Sequence, residues 1–225
     1  MKKDIERISL SKSIGLILLL LVIVYYFYYF NSESTLIPKQ NDSKIEGNLK
    51  GNENATVKII EWSDFECPYC VRFSRDTYPE LVEKLIETGD AKLIFKHYPL
   101  NFHKNAQKAA EATECAADQE MFWEMHDKIF NEGIGDGVQT YKEYASSLNL
   151  NLEEFNDCLD SGIKFNKVQD DMKEGDKLGI KGTPGFLVNG RIISGACSFE
   201  VFEKAVNAEK ENKNWVVERC VFKLK

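Results

Sequence analysis

The chain has 225 residues, of which 43% are hydrophobic, 29% charged and 12% aromatic, with 14 glycines and 5 prolines. This composition excludes a collagen-like, low-complexity or wholly disordered protein, and the length predicts one domain of about 200 residues, or a domain with an insertion. The net charge is −7 and no basic patch stands out, so we expect no nucleic-acid partner. Six cysteines are too few for a small disulfide scaffold. Whether they form disulfides depends on whether the protein lies in an oxidising compartment.

The first element in chain order is an apolar segment, residues 14–30, without a charged residue or a proline. As a helix its 17 residues would span about 26 Å, slightly less than a hydrocarbon core. Residues 1–13 carry four basic and two acidic side chains, which predicts a cytoplasmic N-terminus. We therefore expect a single-pass anchor in the cell membrane, in contact with the lipid bilayer, and an extracytoplasmic remainder. A cleaved signal peptide and a buried core helix are the alternatives. A signal peptide normally has small residues at its cleavage site, whereas this segment ends in bulky aromatic residues.

Residues 31–54 are polar and poor in large apolar side chains, which predicts a linker between the membrane and a domain that begins at residue 55. The triplets 41–43 and 54–56 fit the N-glycosylation pattern, which is too short and common to establish glycosylation.

The globular part begins with a β-branched apolar run at 56–62, which predicts a buried strand. A helical pattern starts at Pro68 and should be interrupted at Pro79, and a second strand is predicted at 91–98. Five amphipathic helices are predicted next, at 103–117, 120–131, 140–148, 152–159 and 165–178.

The chain then returns to strands at 186–188 and 191–193, joined by Asn-Gly, the strongest two-residue hairpin signal. A last helix is predicted at 199–208 and an added strand at 215–222. This order predicts an α/β fold whose mixed sheet is interrupted by helices. The predicted parts are residues 55–102, the inserted helical domain 103–178, residues 179–210 and a C-terminal extension, 211–225.

A Cys-x-x-Cys motif, Cys67-Pro68-Tyr69-Cys70, lies between the first strand and the first helix. The N-terminus of a helix stabilises a thiolate, because unpaired N–H groups and the positive end of the dipole face the sulfur. Pro68 suits the first helical turn. We expect Cys67 to be the attacking nucleophile and Cys70 the resolving thiol. An inert structural bridge is the alternative.

Zinc binding is disfavoured because the motif would need two further ligands, and His97, His103 and His126 are isolated. We expect no metal and no bound cofactor, because cysteines alone can hold the exchanged electrons.

Two further positions are candidates for the site. Glu61 lies six residues before Cys67 in an otherwise apolar strand, where a buried carboxyl of raised pKa would shuttle the proton of Cys70. An exposed strand residue is the alternative. Thr183 and Pro184 precede the third strand between glycines, where a cis bond would make a tight turn.

Two runs carry a family resemblance, WSDFECPYC at 62–70 and GTPGFLVNG at 182–190. They resemble the DsbA-like thioredoxin-fold oxidoreductases, particularly the membrane-anchored group of bacteria and archaea. Segments around 95–103 and 115–126 resemble it as well, so the likeness covers about residues 50–208. The resemblance implies a thioredoxin-like fold with an inserted α-helical domain. It also implies a cis Pro184 packed against the motif, a substrate groove lined by Thr183, and Glu61 as the buried acid.

The chain departs from this family in its dipeptide and its tail. Pro68-Tyr69 lacks the histidine of the strongest oxidants and is also found in glutaredoxins, which are more reducing. The C-terminal extension with Cys220 lies beyond the usual pattern. The direction of electron flow therefore stays open.

Four cysteines lie outside the motif: Cys115, Cys158, Cys197 and Cys220. They allow three pairings, and the sequence cannot choose among them. Similar proteins often bridge the positions of Cys115 and Cys158, and a bridge between Cys197 and Cys220 would attach the tail to the domain. Buried free thiols are the alternative.

We expect an extracytoplasmic thiol-disulfide oxidoreductase whose partners are cysteine-containing exported proteins and, by resemblance, a DsbB- or VKOR-like membrane protein that reoxidises the motif. Tyr69, Phe102 and Phe186 are predicted to border an apolar peptide groove. The rival functions are a reductase or isomerase on the same scaffold, a non-catalytic folding or assembly factor, and a metal-delivery protein.

Overall fold

The computed structural model describes residues 18–25, 39–42 and 46–224 and divides into two compact units, Met1–Pro38 and Lys39–Lys225. In the first unit residues 18–25 are helical and their side chains are exposed. No helix within the described ranges is long and apolar enough to cross a membrane. Positions 14–17 and 26–30 of the predicted anchor lie outside the described residues.

The second unit is built on a five-stranded sheet in the order β1-β3-β2-β4-β5. Its strands are β1 (Asn48–Lys50), β2 (Val57–Ser63), β3 (Ala91–His97), β4 (Gly185–Val188) and β5 (Arg191–Ser194). Strands β2 and β3 are parallel, and every other pair is antiparallel. The two central strands are buried on both faces, which explains why they read as nearly continuous apolar runs.

Helices cover both faces of this sheet. They are α1 (Pro68–Asp76), α2 (Tyr78–Leu81), α3 (Ala106–Ala117), α4 (Phe122–Glu132), α5 (Val138–Ser147), α6 (Leu152–Ser161), α7 (Phe165–Lys177) and α8 (Phe199–Lys210), with a π-helical turn, Val82–Ile86, after α2. Pro79 lies in the first turn of α2, so the predicted interruption falls between α1 and α2 at Thr77. Helices α1, α2 and α8 share a core with β2, in which Ile59, Phe73 and Phe202 are fully buried.

Helices α3 to α7 lie between β3 and β4 in the chain, which confirms the predicted helical insertion. Helices α3 to α6 enclose a second core that includes Phe65, Tyr141 and Phe155. Helix α7 returns to the sheet, where the indole N–H of Trp62 donates to the carbonyl of Asp171 at 3.0 Å. Gly175 permits this close approach, because a Cβ there would lie 2.9 Å from the Trp62 ring.

Part of the predicted linker is instead integral to the domain. Residues 48–50 form the edge strand β1 beside β3. The amide of Gln40 donates to the carbonyl of Gly190 at 2.8 Å, and Lys39 pairs with Glu209 at 2.9 Å. The prediction of a tether up to residue 54 was wrong for these described positions, because backbone hydrogen bonds and an ion pair attach them despite their polar composition.

The C-terminal extension is a hairpin rather than the single predicted strand. Strands β6 (Trp215–Glu218) and β7 (Val221–Leu224) form a separate two-stranded sheet. Arg219 and Cys220 make the turn with φ of 49° and 59°. Two positive φ angles suit a tight hairpin turn, but neither residue is one of the usual turn formers, so the sequence carried no turn signal.

Candidate active site

Cys67 is the N-cap of α1, and Pro68 takes the first helical turn. The amide of Cys67 donates to the carbonyl of Asp64 at 3.1 Å, and the carbonyl of Cys67 accepts the first helical bond, from Val71, at 3.0 Å. Both Cys67 and Cys70 are free thiols, and Cys70 is the more buried of the two. Both cysteines are buried, with Cys67 4% and Cys70 0% exposed, so the difference in access between them is small.

The two thiols have opposite electrostatic environments. A hydrogen bond from Cys70 is the main cause that lowers the pKa of Cys67 to about 5. Burial opposes this shift, and the Thr183 hydroxyl and backbone groups of α1 assist it. Burial, followed by the neighbouring Cys67 sulfur, raises the pKa of Cys70 well above its usual range. At neutral pH the reduced site accordingly holds one thiolate and one thiol.

The Thr183–Pro184 bond is cis and brings its loop against the motif. Sγ of Cys67 lies 3.5 Å from the carbonyl oxygen of Thr183. On the far side of the same loop, the amide of Gly195 donates to the carbonyl of Pro184 at 2.9 Å. Segments more than 100 residues apart in the chain thus form one site.

Glu61 lies in the central strand β2, in register with Phe95 on one side and Phe186 on the other. Its side chain is 2% exposed. Burial raises the pKa of its carboxyl to about 8, so Glu61 holds a proton at neutral pH. The arrangement supplies an acid of suitable pKa inside the core of the fold.

Asp64 organises the approach to the motif and was missed in the sequence. Its buried carboxylate accepts from the amide of Glu66 at 2.7 Å, the amide of Leu100 at 2.7 Å and Nδ1 of His103 at 2.8 Å. An Asp three residues before a helix N-cap is a local turn signal, but its two longer-range partners are set by the tertiary fold. These bonds fasten the loop after β3 beside Cys67.

The three predicted groove residues differ in position. Tyr69 and Phe102 are exposed, at 57% and 76%. Phe186 is fully buried, with its ring 4.7 Å from that of Phe73 and 4.9 Å from that of Phe202. The prediction that Phe186 borders a groove was wrong, because strand alternation points this residue into the core under α1 and α8.

The four remaining cysteines form two disulfides. Cys115 and Cys158 join α3 to α6, with 2.03 Å between the sulfurs. Cys197 and Cys220 join the segment before α8 to the turn of the C-terminal hairpin, with 2.10 Å between the sulfurs. Because these four cysteines are bonded to one another in pairs, Cys67 and Cys70 are the free cysteines among the described residues.

A buried group of charges lies where α3 and α7 meet the sheet. Ligand-type atoms of His97, Glu114 and Asp171 lie within 4.8 Å of one another. Lys96 and Lys167 already pair with the Asp171 carboxylate, at 2.9 and 2.7 Å, and His97 Nε2 lies 2.9 Å from Glu114. We infer that this group attaches the helical insertion to the sheet, because lysine side chains of the chain pair with its carboxylates.

Comparison with known proteins agrees with this geometry. A family model described as thioredoxin matches residues 43–208. The probable disulfide bond formation protein D of Bacillus anthracis is 30% identical over 190 residues, which cover 75% of this chain and 85% of that protein. The crystal structure of oxidised BdbD from Bacillus subtilis has a TM-score of 0.64 at 26% identity, covering 72% of this chain and 92% of that one.

A longer relative shares only part of its length. The Na(+)/H(+) antiporter NhaA 3 of Salinispora tropica is 35% identical over 159 residues, which are 70% of this chain and 24% of the antiporter. The chain therefore spans about a quarter of the length of this curated relative.

Proposed function

The chain belongs to the thioredoxin family and is DsbA-like, and from this premise we propose that it is a thiol-disulfide oxidoreductase that passes its Cys67–Cys70 disulfide to cysteine pairs of exported proteins. The observation that carries the proposal is the asymmetric pair of thiols at the start of α1, with Cys67 favouring the thiolate and Cys70 the thiol. No bound cofactor enters the exchange.

The exchange proceeds in two displacements. A substrate thiolate attacks Sγ of Cys67, and the bond to Cys70 breaks. A second substrate thiolate then attacks the substrate sulfur of the mixed disulfide and releases Cys67. Because the pKa of Cys67 is about 5, Cys67 leaves as a stable thiolate at neutral pH. We assign Glu61, which is buried in β2, as the acid that serves Cys70.

The low pKa of Cys67 favours disulfide donation over reduction. A stabilised thiolate lowers the free energy of the dithiol form relative to the disulfide, which makes the disulfide a stronger oxidant. One observation favours the second candidate, a reductase or isomerase, since the Pro68-Tyr69 dipeptide is shared with the more reducing glutaredoxins.

We further propose that residues 14–30 anchor the chain in the cell membrane, with the catalytic domain outside the cytoplasm and a DsbB- or VKOR-like membrane protein as its oxidant. The two closed disulfides support an oxidising compartment. Protease added to intact cells or spheroplasts should digest the domain, whereas protection until the membrane is lysed would refute this orientation.

The deciding experiment is the reduction potential of the Cys67–Cys70 pair in the full-length chain, with the outer four cysteines followed separately by mass spectrometry. A value of about −120 mV is expected for a donor of disulfides, and a value of about −270 mV would instead make the chain a reductase. Cys67→Ser should abolish oxidative refolding of a reduced substrate, and retained function in this variant would indicate a non-catalytic folding factor.

A further inference from the structure

Ser63 is a buried hydroxyl that the exchange described above does not use. It is the last residue of β2 and is 1% exposed. Within the described part of the chain, its Oγ has no hydrogen-bond partner. An unpartnered buried hydroxyl costs folding free energy, so its position beside the motif calls for a physical reason.

Strand geometry places Ser63 beside Glu61. Residues two apart in a strand lie on the same face, about 7 Å apart along it. Ile59, Glu61 and Ser63 therefore line one face of β2. Ile59 shares its core with Phe73 of α1, so this face is the one that α1 covers.

Helix geometry brings Cys70 to the same place. Cys70 lies three residues before Phe73 and thus on the same side of α1, one turn closer to the motif's N-cap. The Ser63 hydroxyl makes no full hydrogen bond to either titratable neighbour, but it lies close enough to both to lower the pKa of the Glu61 carboxyl and of the Cys70 thiol against the larger effect of burial. Ser63 therefore stands between an acid and the sulfur that must gain or lose a proton.

We propose that Ser63 relays the proton between Glu61 and Cys70, which makes it a further catalytic residue of the proposed oxidoreductase. The inference rests on the proposed function and specifies how its buried thiol is served. A hydroxyl suits this role because it donates one hydrogen bond while accepting another.

The step balances as follows. A substrate thiolate bonds to Sγ of Cys67, and the electron pair of the broken S–S bond goes to Sγ of Cys70. That sulfur takes the proton of the Ser63 hydroxyl, and the hydroxyl takes the proton of the Glu61 carboxyl. The substrate sulfur is oxidised, the Cys70 sulfur is reduced, and Glu61 is left as a carboxylate that regains a proton from water. Reoxidation reverses the transfer.

Without the relay, cleavage would leave a thiolate at Cys70 in a fully buried position. An unpaired buried charge is costly, so proton transfer and bond cleavage should be coupled. Among the described residues, Tyr78 of α2 and Cys67, the N-cap of α1, are titratable groups that interact with this pair, since Glu61 contributes to the raised pKa of Tyr78 and Cys67 to that of Cys70. Asp127, on α4, acts on Tyr78 in the same way.

The test compares Ser63→Ala with Ser63→Thr, which keeps a hydroxyl, in the full-length oxidised chain. Dithiothreitol serves as the attacking thiol, and the rate of Cys67–Cys70 cleavage per unit of thiolate is followed by stopped flow from pH 5 to pH 9. We expect Ser63→Ala to lower this rate at pH 7 by about tenfold or more and to remove the decline that ionisation of Glu61 causes near pH 8. Ser63→Thr should restore both.

Further measurements separate the relay from a packing effect. The melting temperature of Ser63→Ala should equal or exceed that of the parent, because the variant removes an unpartnered buried hydroxyl. Adding Glu61→Gln to Ser63→Ala should cause little further loss of rate, because both residues serve one path.

Three outcomes would overturn the inference. An unchanged rate and pH profile in Ser63→Ala would remove the relay, and equal slowing in Ser63→Thr would assign the effect to packing. If the parent chain itself failed to exchange with dithiothreitol, the proposed function would fail together with the relay, whereas a normal parent with an unaffected Ser63→Ala variant would remove the relay alone.

Discussion

The carbonyl oxygen of Thr183 lies 3.5 Å from Sγ of Cys67, across the gap between the cis-proline loop and the start of α1. The Thr183 hydroxyl is buried at the same place and helps to lower the pKa of Cys67. Each sulfur of the motif therefore has a buried hydroxyl nearby, Thr183 beside Cys67 and Ser63 beside Cys70.

This relationship predicts that Thr183→Val raises the pKa of Cys67 above about 5. The shift should be smaller than that of Cys70→Ala, because the hydrogen bond from Cys70 is the larger cause. The thiolate absorbance of the reduced chain, followed against pH, measures both shifts. Thr88→Val, at an exposed position, is the matched control. An unchanged midpoint in Thr183→Val would remove the hydroxyl from the stabilisation of the thiolate.

The pKa of Cys67 also sets how the reduction potential varies with pH. Below pH 5 reduction of the disulfide takes up two protons, and above pH 5 it takes up one, because Cys67 stays ionised. The slope should therefore fall from about 59 to about 30 mV per pH unit as the pH rises through about 5. Equilibration with glutathione buffers from pH 4 to pH 7 measures the slope. A constant slope over this range would mean that Cys67 titrates elsewhere.

Glu61→Gln should stabilise the oxidised chain in a pH-dependent way. The pKa of Glu61 is about 8 in the folded state against an ordinary value of 4.5. The stability associated with the protonated carboxyl is fully present below pH 4.5 and is lost as the pH rises to about 8. Glutamine cannot ionise, so the variant should gain a few kcal/mol over the parent above pH 8 and little at pH 4. Urea unfolding at pH 4, 7 and 9 provides the measurement.

Glu87→Gln, which makes the same substitution at an exposed position, is the control for that series. If Glu61→Gln destabilised the chain equally at all three pH values, the carboxyl would be an essential hydrogen-bonding group instead of a buried acid.

The tail disulfide should affect the site as well as stability. The Thr77 hydroxyl donates to the carbonyl of Cys197 at 2.9 Å, and Gly195, two residues earlier, bonds to Pro184. Loss of the bridge in Cys197→Ala/Cys220→Ala should cost about 2–4 kcal/mol and also raise the pKa of Cys67, because the proline loop loses its anchor.

Cys115→Ala/Cys158→Ala provides the matched comparison. Its bridge closes a longer stretch of chain, with a separation of 43 residues against 23, so its loss should destabilise the fold at least as much. We expect no change in the pKa of Cys67 there. Equal pKa values in the parent and both double variants would reduce the tail bridge to a purely structural role.

Much of the fold was predictable because local patterns and tertiary structure agree. The β-branched run of β2, the Asn-Gly turn between β4 and β5, and the five helical periods of the insertion each specify their own element. The missed elements depend on distant partners. Strand β1 has a single large apolar residue, Leu49, and forms because it can hydrogen-bond to the edge of β3. The turn at Arg219 and Cys220 has no glycine, and a disulfide joins it to Cys197.

The cysteines and the buried acid of the candidate site could be predicted from the sequence, but the buried polar residues around them could not. Cys67, Cys70 and Glu61 follow from the motif and from a charge inside an apolar strand. Asp64 and Ser63 gave no comparable signal, because a buried polar residue reads like a surface one until its neighbours are known. The prediction that Phe186 borders a groove was wrong because nearness in sequence to the cis-proline loop did not mean exposure. The alternation of strand β4 turns its side chain into the core.

Tyr69 and Phe102 should act on peptide substrates more than on small thiols. Both are large and exposed, and Phe102 is held in place because its ring lies 4.5 Å from that of His103, which is bonded to Asp64. Phe102→Ser should therefore slow oxidation of a cysteine-containing peptide severalfold while leaving the rate with dithiothreitol unchanged. Ile163→Ser, which removes an equally exposed apolar side chain between α6 and α7, is the control and should change neither rate. Equal slowing with both thiols would place Phe102 in the chemistry of the exchange, and no slowing with either would exclude it from substrate binding.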